Sequence, residues 1–299
     1  MDARAFLLVT LSALTVLVHA GTENSIIVQG QRDSEQLKRD VNTYASSAIM
    51  RPFNGDSLLR WDHQICPLVA GMSRDAGEFA LGRLSQIARD AHAPLGAENC
   101  KPNFFVIVAK NPEQFLRLWW RKNPRLFNTR HGIVPAKRFI ETSRPVRVWY
   151  NASLRSADDT SSMLTGLLAS STQLGGGMAD YPVFTQPSQL GSRLTNAVVR
   201  DIGSAIVVVD LDQVASLNMG QLIDYIGLVG LAEINLDKNV GEAPTILKVF
   251  ASAETPRPAA MTDWDKALLY SLYTTEQKSN LQLSSMETSI FNQLTRNAP

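Results

Sequence analysis

The sequence is poor in the residues that build most catalytic sites. Its 299 residues include four histidines and two cysteines. No two histidines stand four residues apart, so the zinc-binding helix motif HExxH is absent. The chain also lacks a P-loop, a GxGxxG turn and a complete Gly-x-Ser-x-Gly elbow, because Gly71-Met72-Ser73 has no second glycine and no preceding strand is predicted. Catalytic residues therefore stay unknown, and we predict no metal site and no cofactor.

An excess of charge of one sign is missing as well. The formal net charge is +1, with 19% charged and 44% hydrophobic residues. This composition is typical of an ordinary globular protein. A near-neutral chain has no overall field that would attract nucleic acid, so we expect no nucleic-acid partner.

Long hydrophobic runs are limited to the first twenty residues. Arg4 provides a positive charge, residues 5–18 carry no charge, and Val18-His19-Ala20 ends on a small residue, which is the pattern of a secretory signal peptide. The apolar run of about 14 residues is shorter than the ~20 that a membrane span needs. We predict a signal peptide at 1–20 and an exported chain at 21–299, periplasmic or secreted, without a transmembrane segment after cleavage.

Cys66 and Cys100 are the only cysteines. Neither belongs to a Cys-x-x-Cys pair, and an exported chain with two cysteines usually joins them. The closed loop would hold about 35 residues and would stabilise the fold by about 3.5–4 kcal/mol. A disulfide is therefore predicted, and a catalytic thiol or a metal-binding pair is the alternative.

Strand and helix patterns alternate along the chain. Continuous or alternating apolar runs predict strands at 25–28, 103–109, 146–150 and 205–209. Helical patterns follow at 34–48, from Asp75 with Glu78 as capping-box partner, at 113–122, 159–171 and 218–234, and after the cap Thr262. The triple glycine at 175–177 predicts a flexible loop or lid. We predict a single α/β or α+β domain with a mixed sheet and packed helices over residues 21–299.

Basic residues cluster in the middle of the chain. Nine lysines and arginines lie between positions 117 and 147, against the single acid Glu141. The candidate anion-binding residues are Arg117, Arg121, Lys122 and Arg125. They would form a face for an envelope protein or polymer. A solvated helix face is the alternative interpretation.

The part of the chain from about 190 to 280 resembles zincin-like metallopeptidases in its layout. A strand and a buried apolar helix are followed by a loop and by Thr262-Asp263-Trp264-Asp265, which leads into a leucine-rich helix. The whole chain also resembles a family of uncharacterised secreted proteobacterial proteins. The segments that carry this second resemblance are WDHQICPLVAG, CKPNFFVIV, VRVWYNAS, GQLIDYIGLVGLAEI and TDWDKALLYSLY. The resemblances imply a bacterial source and a degenerate peptidase scaffold, a pseudoenzyme.

The apolar helix departs from the zincin pattern where the metal ligands would stand. When the helix is aligned with HExxH, the five positions are Asp224-Tyr225-Ile226-Gly227-Leu228. These residues cannot hold zinc in a three-ligand open site. Asp224 and Tyr225 are therefore candidate cleft residues without metal. A buried carboxylate needs a partner, for which Arg193 or Arg200 is a candidate. An internal hydrogen-bond anchor is the alternative role.

Two functions remain open at this point, beside a third interpretation as a purely structural envelope protein, which the presence of a concave polar pocket would separate from both. The first is an exported protein that binds an envelope partner or ligand without metal catalysis. The alternative is an envelope hydrolase of peptides or glycans with a carboxylate-based or atypical metal site. In that case Asp263 and Asp265, with Glu233 or Asp224, would do acid–base work if they converged on one cleft.

Overall fold

The structure, a computed structural model, describes residues 22–51, 57–124, 126–127, 134–156, 198–251 and 257–296. The predicted signal peptide, the predicted helix at 159–171 and the triple glycine lie outside these ranges. The chain divides into two units, residues 1–39 and residues 40–299. Within the described residues, no helix is both long enough and apolar enough to cross a membrane.

Four strands form one mixed sheet in the second unit. They are β1 (Pro67–Ala70), β2 (Phe104–Ala109), β3 (Val146–Ser156) and β4 (Val198–Asp210). Their spatial order is β1-β2-β4-β3; β1, β2 and β4 run parallel, and β3 runs antiparallel to β4. The continuous apolar runs of β2 and β4 fit strands that are covered on both faces.

The described residues also contain seven α-helices. They are α1 (Thr22–Ala48), α2 (Arg74–Asp90), α3 (Pro112–Lys122), α4 (Val134–Glu141), α5 (Met219–Leu231), α6 (Asp263–Thr274) and α7 (Gln282–Arg296), with a 3-10 helix at Ile246–Phe250. α2 packs on α5, and residues of α3 and α4 share a core cluster with Ile206 and Val208 of β4. The predicted α/β class with a mixed sheet and packed helices is confirmed.

Two glycines bring α5 close to its neighbours. A Cβ atom at Gly230 would lie 2.1 Å from the Cζ atom of Phe104 on β2, and one at Gly227 would lie 2.7 Å from a methyl group of Ile87 on α2. Every residue from Leu222 to Leu231 is buried as a result. The prediction of a buried apolar helix is therefore confirmed, and its polar residues must find their partners inside the protein.

Local chemistry at the start of two helices differs from the prediction. β1 ends directly before Gly71, so the strand thought to be absent before Ser73 is present. The Ser73 hydroxyl caps α2 by accepting a hydrogen bond from the Ala76 N–H, and Glu78 pairs with Arg74 instead of completing a capping box. Residues 25–28, predicted as a strand, belong to α1; a run of three apolar residues, Ile26–Val28, is too short to distinguish a strand from part of a helix.

The predicted disulfide is present. Cys66 and Cys100 are bonded, with their Cα atoms 5.8 Å apart. Cys66 immediately precedes β1, and Cys100 lies in the loop before β2. The bond therefore joins the starts of two adjacent parallel strands.

Candidate functional site

A cavity of about 630 Å³ lies between α5, the start of β3 and the loop that follows α5. We call it the Tyr225 cleft. Its lining includes Arg144, Tyr225, Lys238, Glu242, Lys248 and Phe250. The sequence identified Tyr225 as a candidate and placed Arg144 in the basic segment 117–147, but it gave no signal for Lys238 and Lys248.

The loop wall of the Tyr225 cleft is held by local hydrogen bonds. The Asn235 side chain accepts from the Asp237 N–H at 3.1 Å, and the Asn239 side chain accepts from the Gly241 N–H at 2.9 Å. Gly241 has a φ of +69°, a conformation in which glycine is favoured. These short turns place Lys238 beside the cavity without a long-range contact of its own.

Positive charge dominates the Tyr225 cleft. Arg144 forms an ion pair with Asp237, which neutralises both groups. In the described part of the chain, Lys238 and Lys248 have no ion-pair partner, and Glu242 is the acidic residue that lines the cavity. The lining thus carries one net positive charge, and the arrangement favours an anionic ligand.

Tyr225 is the polar group set deepest in this lining. Its side chain is 5% exposed, and its ring meets that of Phe250 edge to face at 4.9 Å. Burial raises the pKa of the Tyr225 hydroxyl, while Arg144 lowers it to a smaller extent. The hydroxyl is therefore protonated at neutral pH. It has no hydrogen-bond partner among the described residues, so it is free to donate to a ligand.

Asp224, the neighbour of Tyr225, lies in different surroundings. Both of its oxygens accept hydrogen bonds from the Arg83 guanidinium on α2, at 2.5 and 2.7 Å, and one also accepts from the Met261 N–H at 2.6 Å. The carboxylate is fully buried and lines a separate cavity of about 250 Å³ that includes Arg83 and Lys266. The structure thus does not bring Asp224 and Tyr225 together in one cleft.

The partner of Asp224 differs from the two arginines considered from the sequence. Arg193 lies outside the described residues, and Arg200 instead forms an ion pair with Glu233 at 2.9 Å. Arg83 stands four residues before Ile87, the residue that packs on Gly227. Its role depends on the packing of α2 against α5, for which the sequence contains no signal.

The four carboxylates considered for acid–base work are not gathered in one cavity. Asp224 pairs with Arg83, Glu233 with Arg200, and the exposed Asp263 with Lys266 at 3.0 Å. None of the cavities described above is lined by more than one of them.

Asp265 has a structural position inside the core. Its carboxylate is fully buried and accepts hydrogen bonds from Tyr44 Oη at 2.8 Å, from the Ile246 N–H at 2.8 Å, and from the hydroxyls of Thr245 and Thr262. Burial raises the pKa of Asp265, and these donors lower it to a smaller extent. Asp265 and Thr262 also form the capping box of α6, which confirms Thr262 as the predicted cap.

The basic segment is only partly a free cationic face. Arg117 pairs with Glu113 and Glu141 on the surface of α3 and α4. Arg121 and Lys122 are exposed at the end of α3, and Arg125 lies outside the described residues. The aromatic residues interleaved with these charges contribute to the core cluster on this side of the sheet, in which Phe127 is 1% exposed.

A histidine–aspartate pair was not recognised from the sequence. His63 Nδ1 lies 2.8 Å from the buried Asp201 carboxylate, and Asn103 Nδ2 lies 3.3 Å from His63 Nε2. Burial alone would lower the pKa of His63, but the hydrogen bond to Asp201 and the charges of Asp201 and Asp62 raise it overall. No hydroxyl or thiol nucleophile contacts Nε2 within the described residues. The pair fastens the segment before the disulfide to β4.

No group of three or more histidine, cysteine, aspartate or glutamate side chains is placed to hold a metal ion in the described ranges. Comparison of the chain with models of protein families, with curated proteins and with solved structures gives no match. The resemblances to zincin-like metallopeptidases and to secreted proteobacterial proteins thus stay predictions. The geometry of the Tyr225 cleft is the strongest indication of function.

Proposed function

We propose that this protein is an exported binding protein without metal catalysis, and that its Tyr225 cleft takes a small organic anion. The observation that carries the proposal is the Tyr225 hydroxyl. It belongs to a side chain that is 5% exposed, lines a cavity of about 630 Å³ and has no partner among the described residues. A neutral phenol hydroxyl can donate a hydrogen bond, so it is available to a ligand in the cavity.

The lining supports a ligand with one anionic and one apolar end. Lys238 and Lys248 supply positive charge, and the Tyr225 hydroxyl supplies a neutral donor. Phe250 and Val240 supply apolar surface in the same cavity. Pockets for small molecules combine such apolar walls with a few polar groups that fix orientation.

The state of Asp224 supports binding without metal catalysis. This residue stands where the zincin pattern has its first metal ligand, but a guanidinium already occupies both of its oxygens. A cation at that distance opposes the entry of a metal ion. The scaffold would then be a degenerate peptidase-like one, as the resemblance implies.

Export to the periplasm or beyond is part of the proposal. The Cys66–Cys100 disulfide supports an oxidising compartment. An envelope component would supply the anionic group. Arg121 and Lys122 offer a second, exposed contact surface for such a partner. If the protein captures as much envelope material after Arg121 and Lys122 are both replaced by alanine, this second contact surface is rejected.

Binding of phenyl phosphate, measured by calorimetry, tests the cleft, with phenol as the uncharged comparison. We expect phenyl phosphate to bind and phenol not to bind. The double variant Lys238→Met, Lys248→Met should lose at least about tenfold in affinity, since two charge-assisted contacts disappear. Lys101→Met, which removes an exposed lysine away from the cleft, is the matched control. Equal affinity in the double variant and the control would contradict the proposal.

The same samples distinguish a binding protein from the alternative hydrolase. After long incubation we expect phenyl phosphate to be recovered intact. Release of phenol that depends on the cleft lysines would favour the enzyme. The metal content of the mature protein, purified without a chelator, is the second readout. About one equivalent of zinc that is lost in Asp224→Ala would overturn the metal-free proposal.

A further inference from the structure

The outer edge of β3 is open. β3 ends the strand order, so its second side has no neighbouring strand among the described residues. The Asp210 N–H donates to the Pro145 carbonyl at 2.9 Å, and Arg147 pairs with Val208 in the same register. Hydrogen-bonded and non-hydrogen-bonded pairs alternate in an antiparallel ladder. The backbone groups of Val148 and Tyr150 therefore point away from β4.

These outward backbone groups have no backbone partner among the described residues. Val148 and Tyr150 are two residues apart, which spaces their donor and acceptor groups by about 6.8 Å along the strand. This spacing matches that of a second extended chain. An exposed edge of this kind is a template for another strand.

A groove of about 490 Å³ runs along this edge. We call it the β3 groove. Four consecutive residues of β3, 147–150, line it. Pro135, Arg138 and Phe139 of α4 form one wall, and part of the other consists of four residues after α5, namely Glu233, Ile234, Leu236 and Asp237. The groove is thus long in the direction of the strand and bounded on both sides.

Arg147 places an unusual charge in the β3 groove. Its side chain is 5% exposed, and Nη1 donates to the Ile140 carbonyl at 2.7 Å. The Nε atom is buried and has no hydrogen-bond partner in the part of the chain that the structure describes. No carboxylate forms an ion pair with Arg147 within the described parts of the chain. A buried guanidinium with an unused donor is costly unless a ligand completes it.

The other charges of the β3 groove leave it cationic. Its two acids are already engaged, Glu233 with Arg200 at 2.9 Å and Asp237 with Arg144. Arg138 is exposed and has no ion-pair partner among the described residues. Arg138 and Arg147 are therefore available to an acidic ligand, and guanidinium groups bind carboxylates well.

We propose that the β3 groove binds an extended acidic peptide segment, which adds a fifth strand to the sheet. The peptide backbone pairs with Val148 and Tyr150, and acidic side chains contact Arg138 and Arg147. Strand addition of this type derives affinity from the main chain and specificity from alternate side chains. The site is separate from the Tyr225 cleft, although Arg144 lies at the border of both.

Fluorescence anisotropy with a labelled peptide of sequence TEVEVT, blocked at both ends, tests this inference. Two further versions carry N-methyl groups on alternate residues, in complementary sets. We expect TEVEVT to bind saturably, one N-methylated set to lose at least about tenfold in affinity, and the other set to bind as the parent does, because only alternate N–H groups face β3. The basic peptide TKVKVT, with the same label, should bind more weakly than TEVEVT.

Charge reversal of the groove provides the protein side of the test. Arg138→Glu changes an exposed residue, so the fold is retained, and we expect at least about a tenfold loss for TEVEVT. Lys101→Glu is the matched reversal outside the β3 groove and should leave the affinity unchanged. Failure of TEVEVT to bind, equal binding of both N-methylated sets, or an unchanged affinity in Arg138→Glu would overturn the inference.

The two proposals fail separately. The Lys238→Met, Lys248→Met variant should lose phenyl phosphate and keep TEVEVT, while Arg138→Glu should do the reverse. Loss of TEVEVT in the lysine variant with no effect of Arg138→Glu would reject the β3 groove and place the peptide in the Tyr225 cleft.

Discussion

Asp224 and Tyr225 are neighbours on α5, yet their surroundings are opposite in kind. The Asp224 carboxylate is fully buried and bonded to Arg83 and to the Met261 backbone. The Tyr225 hydroxyl lines a cavity of about 630 Å³ and is unpaired among the described residues. Successive helical residues are rotated by about 100°, so they meet different neighbours. A polar group with all its partners inside the protein holds the fold, and one that faces a cavity without a partner is available for binding.

Asp265 has the same kind of surroundings as Asp224. It is a buried carboxylate whose oxygens are occupied by protein donors, although these are neutral groups and not a guanidinium. Loss of a polar group whose partners all lie inside the protein should lower stability, and loss of one that faces a cavity without a partner should lower ligand affinity.

The variant Asp265→Ala should destabilise the protein most. It leaves the Tyr44 and Thr245 hydroxyls and the Ile246 N–H without the acceptor they share, and buried donors without partners are costly. We expect the free energy of unfolding to fall by about 3–5 kcal/mol, measured by urea denaturation. Asp263→Ala, two residues away and exposed, should stay within about 0.5 kcal/mol. Similar losses in both variants would contradict the structural role of Asp265.

The variant Arg83→Met should be next in effect, because it leaves the Asp224 carboxylate buried without its cation. We expect a loss of about 3 kcal/mol in the free energy of unfolding. The double variant Arg83→Met, Asp224→Leu should recover part of that loss. Arg74→Met is the control on the same helix, since its ion pair with Glu78 is exposed and contributes at most about 0.5 kcal/mol. No recovery in the double variant would argue against coupling of the two residues.

The variant Tyr225→Phe should change stability by no more than about 0.5 kcal/mol, because the lost hydroxyl has no partner to leave unpaired. Its affinity for phenyl phosphate should nevertheless fall about five- to tenfold. Tyr273→Phe is the matched opposite: its hydroxyl donates to the Leu231 carbonyl at 2.6 Å. That variant should lose about 1 kcal/mol of stability and keep the affinity. The opposite outcome, in which Tyr225→Phe loses stability and Tyr273→Phe loses affinity, would contradict the roles assigned to the two tyrosines.

The smallest effect concerns His63, whose side chain is 42% exposed. Asp201 raises the pKa of His63 in the folded state. The stabilisation that this pair gives to the folded state is therefore fully present at pH values below the unfolded pKa of about 6.5. It is lost as the pH rises through the folded pKa. The stability difference between the native protein and His63→Gln should thus be larger at pH 5.5 than at pH 8.5. Titration of the His63 ring by NMR with a pKa below about 6.5 would contradict this.

Much of the fold follows from local chemistry. The apolar runs at β2 and β4, the helical pattern at 113–122 and the Thr262 cap of α6 each carry their own signal, and all lie where predicted. The segment 25–28 was assigned wrongly because its run of three apolar residues is too short to separate the helical from the strand periodicity. The extension of β3 to Ser156 also escaped prediction, since its second half is polar.

The candidate sites were predictable only in part. Tyr225 stood out as a polar residue on an apolar helix, and the two cysteines identified their own bond. Arg83 as the partner of Asp224, and Lys238 and Lys248 as neighbours of Tyr225, come from distant segments. No local pattern connects them, because the contact exists only after the helices and loops have packed.

The sequence by itself determined the alternating strands and helices, the buried character of α5 and the pairing of Cys66 with Cys100, since each depends on composition or on short-range spacing. The tertiary structure alone decided which polar groups have hydrogen-bond partners inside the protein and which face a cavity without one. Arg83 reaches Asp224 because Gly227 lets α2 approach α5. Among the described residues, the outer edge of β3 is unpaired because the strand order places β3 last. Partners distant in sequence meet only through packing, and packing separates structural polar groups from those available for binding.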